Sequence, residues 1–462
     1  MTHSLGLDLT LKEIADGIPL AKLCGPEDLA ISGISTDTRN IPHQSLFFAL
    51  RGERFDAHEF IDEALRQGAT AIVSEIPLDA TVPHILVPST RTALGDTAKL
   101  WRARFNIPVI TVTGSNGKTT VTQMLAGILA TASGEDHRLA TRGNLNNEIG
   151  LPLTLFRMRA HHERAVLELG MNHPGEIASL AAIARPTVAL VNNAQREHQE
   201  FMGTVEATAH ENGEAISALP ADGFAVYPAD DACAPIWKDL AGDREVFDFG
   251  FEKPAKIQAS FVPTPEGMNL CLRTPEGNIE ARLALAGAHN AHNAAAAASA
   301  ALASGISLPD ILKGLEDFRP VTGRGVILLA HGGATLIDDS YNANPDSVLA
   351  AIDLLASRPG PSYLILGDMG EVGEKGPEFH AEIGQYASIR GISGLLTHGA
   401  LAHHSASAFE GSGAQHFDAI DDLIKTAQQI AKPGSILLVK GSRFMKMERV
   451  IEALTGTTSP HH

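Results

Sequence analysis

The run Thr111-Val112-Thr113-Gly114-Ser115-Asn116-Gly117-Lys118-Thr119-Thr120 lies between an apolar segment and an amphipathic one. Between a strand and a helix, the backbone N–H groups from Gly114 through Gly117 and the helix N-terminus can cradle phosphate oxygens. The Lys118 ammonium can then reach the outer phosphates, and the Thr119 hydroxyl, followed by Thr120, can meet Mg²⁺. The full eight-residue phosphate-loop pattern requires glycine where Val112 stands, so the sequence carries the shorter GxxGKT. The competing reading of these residues is a glycine turn with a surface lysine.

A phosphate cradle needs metal ligands and reacting groups beside it. Glu168 ends the apolar run Val166-Leu167-Glu168, where ligands of open α/β sheets collect, and a carboxylate there suits Mg²⁺. A structural ion pair is its alternative. His198, after the run ending at Asn192-Asn193, can offer a neutral imidazole to a metal or be a plain loop residue. Asn290 and Asn293, in His289-Asn290-Ala291-His292-Asn293, can cap a helix or hydrogen-bond a heterocycle. The polar loop Asp338-Asp339-Ser340-Tyr341-Asn342-Ala343-Asn344-Pro345 can cap the next helix or orient a substrate.

These residues need a scaffold. From Val109 onward apolar strands alternate with amphipathic helices, which predicts a parallel sheet covered on both faces. Strands are expected at 109–113, 165–169 and 187–192, and a helix at 118–132. A β-rich stretch follows at 257–285, then an Ala-rich helix from about Asn290. Before this region, strands at 45–50 and 69–73 flank a helix at 58–67, and a helix at about 92–105 leads onward. After it, strands at 334–338, 363–366, 394–397 and 435–439 alternate with helices at 346–356, 377–390, 420–430 and 446–454, a second doubly wound pattern. The expected fold class is α/β with three domains, at 1–88, 89–318 and 319–462: a small α/β unit, a central phosphate-loop parallel-sheet unit and a Rossmann-like unit.

Composition limits what such a chain does. The 462 residues carry 36 Lys+Arg against 54 Asp+Glu, a net charge of −18, which argues against coating a nucleic acid or an anionic membrane. A locally positive pocket for small anions stays open. Cys24, Cys233 and Cys271 show no metal or disulfide spacing, so a reduced, cytoplasmic protein is expected. The N-terminus lacks a basic segment followed by an apolar one, and no signal peptide is expected. The Ala284–Ala303 stretch is interrupted by His289, Asn290, His292 and Asn293 and is too polar to span a bilayer. His461 and His462 carry no weight.

Together these segments resemble the Mur ligases, ATP-dependent amide-forming enzymes of bacterial cell-wall synthesis. The short phosphate loop, Glu168, His198, the HNxxN segment and Arg324 in Thr322-Gly323-Arg324 follow the family's order across nearly the whole chain. The dipeptide-adding branch is the most similar. The segments that carry this are Ser35-Thr36-Asp37-Thr38-Arg39, Phe48 through Asp56 (including Glu53 and Arg54), Gly143 through Gly150, Asp339 through Pro345, Leu366 through Glu371 and Val439 through Arg443.

The resemblance implies ATP and Mg²⁺ as cofactors, and UDP-N-acetylmuramoyl-tripeptide and D-alanyl-D-alanine as substrates; no nucleic-acid partner, no transmembrane segment and a monomer are expected. Thr119, Glu168 and His198 would be metal ligands, and Lys118, Glu168, His198 and Arg324 would carry the chemistry. ATP would meet the Gly114–Thr120 loop, Asn290, Asn293, Arg324 and Asp339. Substrate would meet Ser35, Thr36 and Arg39 at the UDP end, Asn144, Asn146 and Asn147 near the acceptor peptide, and Tyr341, Asn342 and Asn344 in the third domain. The acceptor carboxylate would take the γ-phosphate as an acyl phosphate, which the dipeptide amine would then displace.

One position departs from the family. Asn212 stands where Mur ligases commonly carry a carbamylated lysine in the helix after the histidine, and asparagine cannot form a carbamate. Glu211 or Glu214 could supply charge in its place. Other Mur ligases and the folylpolyglutamate synthases are the neighbouring alternatives, although the Asp-Asn-Pro-Arg motif of the diaminopimelate-adding branch is absent. A catalytically idle ATP-binding regulator is the alternative from another class, and Lys118, Glu168 and Arg324 argue against it.

Overall fold

The computed structural model describes residues 7–52, 55–264 and 266–457. Met1 to Gly6, Glu53, Arg54, His461 and His462 lie outside the described residues.

Among the described residues, three of the five sheets form the centres of the three units and follow one another along the chain. The first has five strands in the spatial order Lys22–Cys24, His84–Leu86, Ala69–Ser74, Ser45–Phe48 and Gly33–Ser35. The second has six parallel strands in the order Glu245–Val246, Phe224–Val226, Val188–Val191, Val109–Thr113, Arg164–Glu168 and Arg138–Ala140. The third runs Val326–Leu329, Thr335–Asp339, Ile436–Lys440, Ser362–Gly367, Gly394–His398 and Ala414–Phe417, parallel except for its first strand.

Burial explains the central sheet. Every residue of Val109–Thr113 is buried, as a strand covered by helices on both faces requires. The chain leaves this strand toward Arg138–Ala140 on one side and later returns to Val188–Val191 on the other. The carboxyl end of Val109–Thr113 therefore lies at a switch point, where loops diverge and leave a crevice.

The helices Lys118–Ser133 and Ala288–Ala303 pack on one face of this sheet, and Leu308–Asp317 packs on Lys118–Ser133. Thirteen of sixteen residues in Ala288–Ala303 are buried, which explains its small side chains. A Cβ on Gly314 would lie 2.6 Å from the Ile128 Cα, so glycine sets how closely the other two helices approach. The opposite face shares a continuous apolar core with the first sheet through Thr90–Arg102. That helix starts at Ser89, whose hydroxyl accepts the Thr92 amide, and its Trp101 indole donates to the Met158 carbonyl.

Several elements differ from the sequence expectation. The strand from Ser45 stops at Phe48, and an isolated bridge joins Arg51 to Asp56. The single helix expected at 58–67 is a 3₁₀ turn, Ala57–Phe60, followed by Ile61–Arg66. The helix expected from Lys446 starts at Glu448, after a 3₁₀ turn at Arg443–Met445 and a left-handed Lys446. Among the described residues, no helix is long and apolar enough to cross a membrane.

Candidate active site

A cleft of about 1400 Å³ opens at the carboxyl end of the central sheet and is walled on its far side by the third unit. The phosphate loop forms its floor. Gly117, with φ +81°, is the left-handed residue before the helix, and an added Cβ there would collide with Asn293 Oδ1 and Asn192 Nδ2. The strand end braces the loop from behind. The Asn193 carbonyl accepts from the Ser115 amide (3.1 Å), Asn193 Oδ1 from the Asn116 amide (2.8 Å), and Asn192 Nδ2 donates to the Asn116 carbonyl (2.7 Å).

Lys118 begins the helix and folds back over the loop. Its Nζ donates to the carbonyls of Gly114 (2.5 Å) and Ser115 (3.2 Å) and to Glu197 Oε1 (2.8 Å). Glu197 is buried, and its Oε2 has no hydrogen-bond partner. Glu168 Oε1 accepts from Thr119 Oγ1 (3.2 Å) and Asn146 Nδ2 (2.7 Å), while its buried Oε2 is also unpartnered. Glu168 and Glu197 both line the cleft, each with one buried carboxylate oxygen left without a partner, and with the Thr119 hydroxyl they offer the oxygen ligands that suit a hard divalent cation. Among the described residues, no group of three or more His, Cys, Asp or Glu is placed to hold a metal ion.

The third unit completes the wall. Asn344 caps Pro345–Ala356 through Ser347 and exchanges amide hydrogen bonds with Asn116, at 2.9 and 3.3 Å. His198 Nδ1 lies 2.5 Å from Glu371 Oε2, and this contact holds the Glu371 carboxyl below its ordinary range against the opposing effect of burial. Asp339 pairs with the buried ammonium of Lys440 (2.6 Å), which also donates to the Asn342 carbonyl (3.0 Å). The Tyr341 ring lies beneath two guanidiniums, Arg324 at 4.2 Å and Arg443 at 5.6 Å. Behind this wall, burial raises Asp338, which accepts from Ser340 and the Gly323 amide.

The cleft thus gathers Ser115 through Thr120, Asn144, Asn146, Asn147, Glu168, His198, Asn290, Asn293, Arg324, Asp339, Tyr341, Asn342 and Asn344. Gly114 lies behind its lining, with its amide turned to Asn212 Oδ1. Ser35, Thr36 and Arg39 do not line it. They form a turn on the first unit, where Ser35 donates to the Asp37 carbonyl and Arg39 pairs with Asp37 at 2.6 Å. Some predicted ligands also have local partners. Asn147 Oδ1 accepts the amides of Ile149 and Gly150 at a helix start, and Asn290 Nδ2 donates to the Ala286 carbonyl.

The reading of the helix after His198 needs correction. Asn212 is buried with both ends of its side-chain amide taken up inside the protein: its Oδ1 accepts the Gly114 amide (2.8 Å), its Nδ2 donates to the Thr208 carbonyl, and its backbone carbonyl accepts from the Thr113 hydroxyl. The Glu211 carboxylate accepts the amides of Gly175 and Ile177, both at 2.8 Å, at the start of Glu176–Ala184, so its charge serves a helix N-terminus. Glu197, Arg196, Lys440, Glu371 and Arg443 were not picked out individually from sequence. Only Lys440 had a positional signal, as the last residue of a buried strand.

The site and the three sheets define a nucleotide-handling enzyme whose cleft lies between two α/β units. The chain belongs to the Mur ligase family. Family profiles described as the Mur ligase family catalytic domain, the Mur ligase middle domain and the Mur ligase glutamate ligase domain match residues 30–102, 112–301 and 323–443. A UDP-N-acetylmuramoyl-tripeptide–D-alanyl-D-alanine ligase of Escherichia coli is 38% identical over 97% of this chain and 98% of its own. A crystal structure of MurF from Acinetobacter baumannii superposes with a TM-score of 0.92 at 32% identity, covering 98% of this chain and 100% of that one. MurF of Thermotoga maritima in complex with ADP gives 0.81 at 28% identity, covering 91% and 96%.

Proposed function

We propose that this chain joins D-alanyl-D-alanine to UDP-N-acetylmuramoyl-tripeptide, converting ATP to ADP and phosphate and giving the pentapeptide precursor of peptidoglycan. The observation that carries this reading is the phosphate-loop lysine in one cleft with two orphaned carboxylate oxygens and the third unit's Asp339–Asn344 loop. The near-complete likeness to dipeptide-adding ligases supports the choice of substrates.

The first problem for the reaction is bringing the tripeptide carboxylate to an anionic triphosphate. Lys118 and the loop amides draw charge from the phosphates, and Arg324 adds positive charge from the opposite wall. Glu168, Thr119 and Glu197, with His198 at the edge, would hold Mg²⁺, which supplies neutralisation of phosphate charge when bound. The carboxylate oxygen bonds to the γ-phosphorus, the bond to ADP breaks, and the resulting acyl phosphate must be kept from water. The free amine then attacks the acyl carbon and phosphate leaves. The bridges from Asn344 to Asn116 and from Glu371 to His198 keep the third unit over this step.

Residues 1–88 are assigned to the UDP end, with Ser35, Thr36 and Arg39 at its turn, 89–318 to ATP, and 319–462 to the dipeptide through Tyr341, Asn342 and Asn344. Arg91 joins the first two by donating to Glu148 (2.5 Å) and the Arg51 carbonyl (3.2 Å). The enzyme works in the cytoplasm as a monomer on this reading. Mass spectrometry of a complete reaction tests it: UDP-N-acetylmuramoyl-pentapeptide and ADP are expected, and AMP or an unextended tripeptide contradicts it.

A further inference from the structure

Four consecutive residues make four different contacts. Gln195 holds the phosphate loop, its amide donating to Ser115 Oγ (2.9 Å) and its Oε1 accepting from Asn116 Nδ2 (2.5 Å). Arg196 reaches the third unit. Its backbone amide donates to Asp346 Oδ2 (2.7 Å), its Nε and Nη2 to Asp346 Oδ1 (3.0 and 2.7 Å), and its Nη1 to Glu382 Oε2 (2.6 Å). Glu197 takes the Lys118 ammonium, and His198 meets Glu371.

We propose that Arg196 is a positioning residue: it converts docking of the third unit into the placement of Lys118 and His198. The proposal rests on the ligase reading above. The Glu197 amide donates to the Gln195 carbonyl (2.8 Å) and closes the segment into a turn about Arg196, so the residues on either side of the arginine are tied to each other. His198 further stiffens it, with backbone φ +49° and ψ +40°, a conformation that non-glycine residues rarely adopt.

The chemistry of Arg196 suits the task. Asp346 and Glu382 belong to separate helices, Pro345–Ala356 and Gly376–Ile389, so one planar guanidinium bonded to both fixes orientation as well as distance. Its face lies over the Phe379 ring at 5.3 Å. The side chain is 22% exposed, so the pair is partly shielded from water. Burial works to lower the Arg196 pKa, but its bonds to Asp346 and Glu382 outweigh that and raise it. The arginine therefore stays charged wherever the enzyme is folded.

The test compares wild type, Arg196→Gln, Arg196→Lys, Glu382→Gln and the double variant Arg196→Gln/Glu382→Gln. It reads kcat and KM for the dipeptide, ADP affinity by calorimetry and radius of gyration by small-angle scattering. Arg196→Gln is expected to lower kcat/KM about tenfold or more while ADP affinity changes by less than about threefold, and to enlarge the particle. Arg196→Lys recovers part of the loss, and the double variant is no worse than Arg196→Gln alone. If Arg196→Gln melts early, Glu382→Gln, on the exposed side of the pair, carries the comparison.

Wild-type kinetics in the variants, or ADP affinity falling in step with kcat, overturns the proposal. An inactive wild type instead overturns the ligase reading, and the scattering comparison then still reports on docking.

Discussion

The Lys118 Nζ lies 2.8 Å from Glu197 Oε1, while the other oxygen of that buried carboxylate has no hydrogen-bond partner. With the Gly114 and Ser115 carbonyls, this contact uses all three donors of the ammonium. A phosphate entering the loop must therefore replace one of these partners. Lys118→Ala is expected to lower kcat by about 10²-fold or more, measured as phosphate release. Unchanged turnover would remove Lys118 from its role.

Glu197→Gln keeps an acceptor for Lys118 but removes the charge of the orphaned oxygen. The Mg²⁺ concentration for half-maximal activity is expected to rise about tenfold, the scale found when a group supporting a metal site is lost. Superimposable Mg²⁺ titrations of variant and wild type would show that Glu197 serves the lysine alone.

Two substitutions separate the loop's shape from its chemistry. Asn212→Ala strips the Gly114 amide of its acceptor inside the protein and is expected to cost about 1–3 kcal/mol of stability, read as a lower unfolding midpoint in urea. Gly117→Ala forces a Cβ against Asn293 and Asn192 at φ +81°. It is expected to abolish nucleotide binding in calorimetry while the far-ultraviolet circular dichroism stays that of wild type.

His162 gives stability a pH dependence. Burial, then the neighbouring His161, pushes its pKa from 6.5 down to about 4, and its Nδ1 accepts the Arg159 amide at 2.8 Å. The unfolded chain takes up this proton below pH 6.5, whereas the folded chain does so only near pH 4. Stability is therefore lost as pH falls through this window and is retained above it. Urea unfolding at pH 7.5 and 4.5 is expected to show a smaller acid loss for His162→Gln than for wild type, and equal losses would contradict the assignment.

The sequence disclosed what is contiguous. The strand, glycine turn and lysine helix from Val109 to Ser133 form from neighbouring residues, and the elements around them followed from hydrophobic period. The strand Val326–Leu329 escaped notice because it is a four-residue edge with Ile327 and Leu329 exposed. The remainder of the site depends on partners distant along the chain. Lys118 and Glu197 are 79 residues apart, Asp339 and Lys440 are 101 apart, and Arg196 and Asp346 are 150 apart. Asn212 shows the same limit: substitution of a ligand type was legible, but its new partner, the Gly114 amide, required the fold.

Phosphate release tests the central claim most directly. Purified protein with ATP and Mg²⁺ is given UDP-N-acetylmuramoyl-tripeptide, D-alanyl-D-alanine, or both. Sustained release only when both are present is the expected result. Equal release with a single amino acid in place of the dipeptide would contradict the dipeptide assignment, and no stimulation by any muramoyl peptide with any amine would contradict the ligase reading itself.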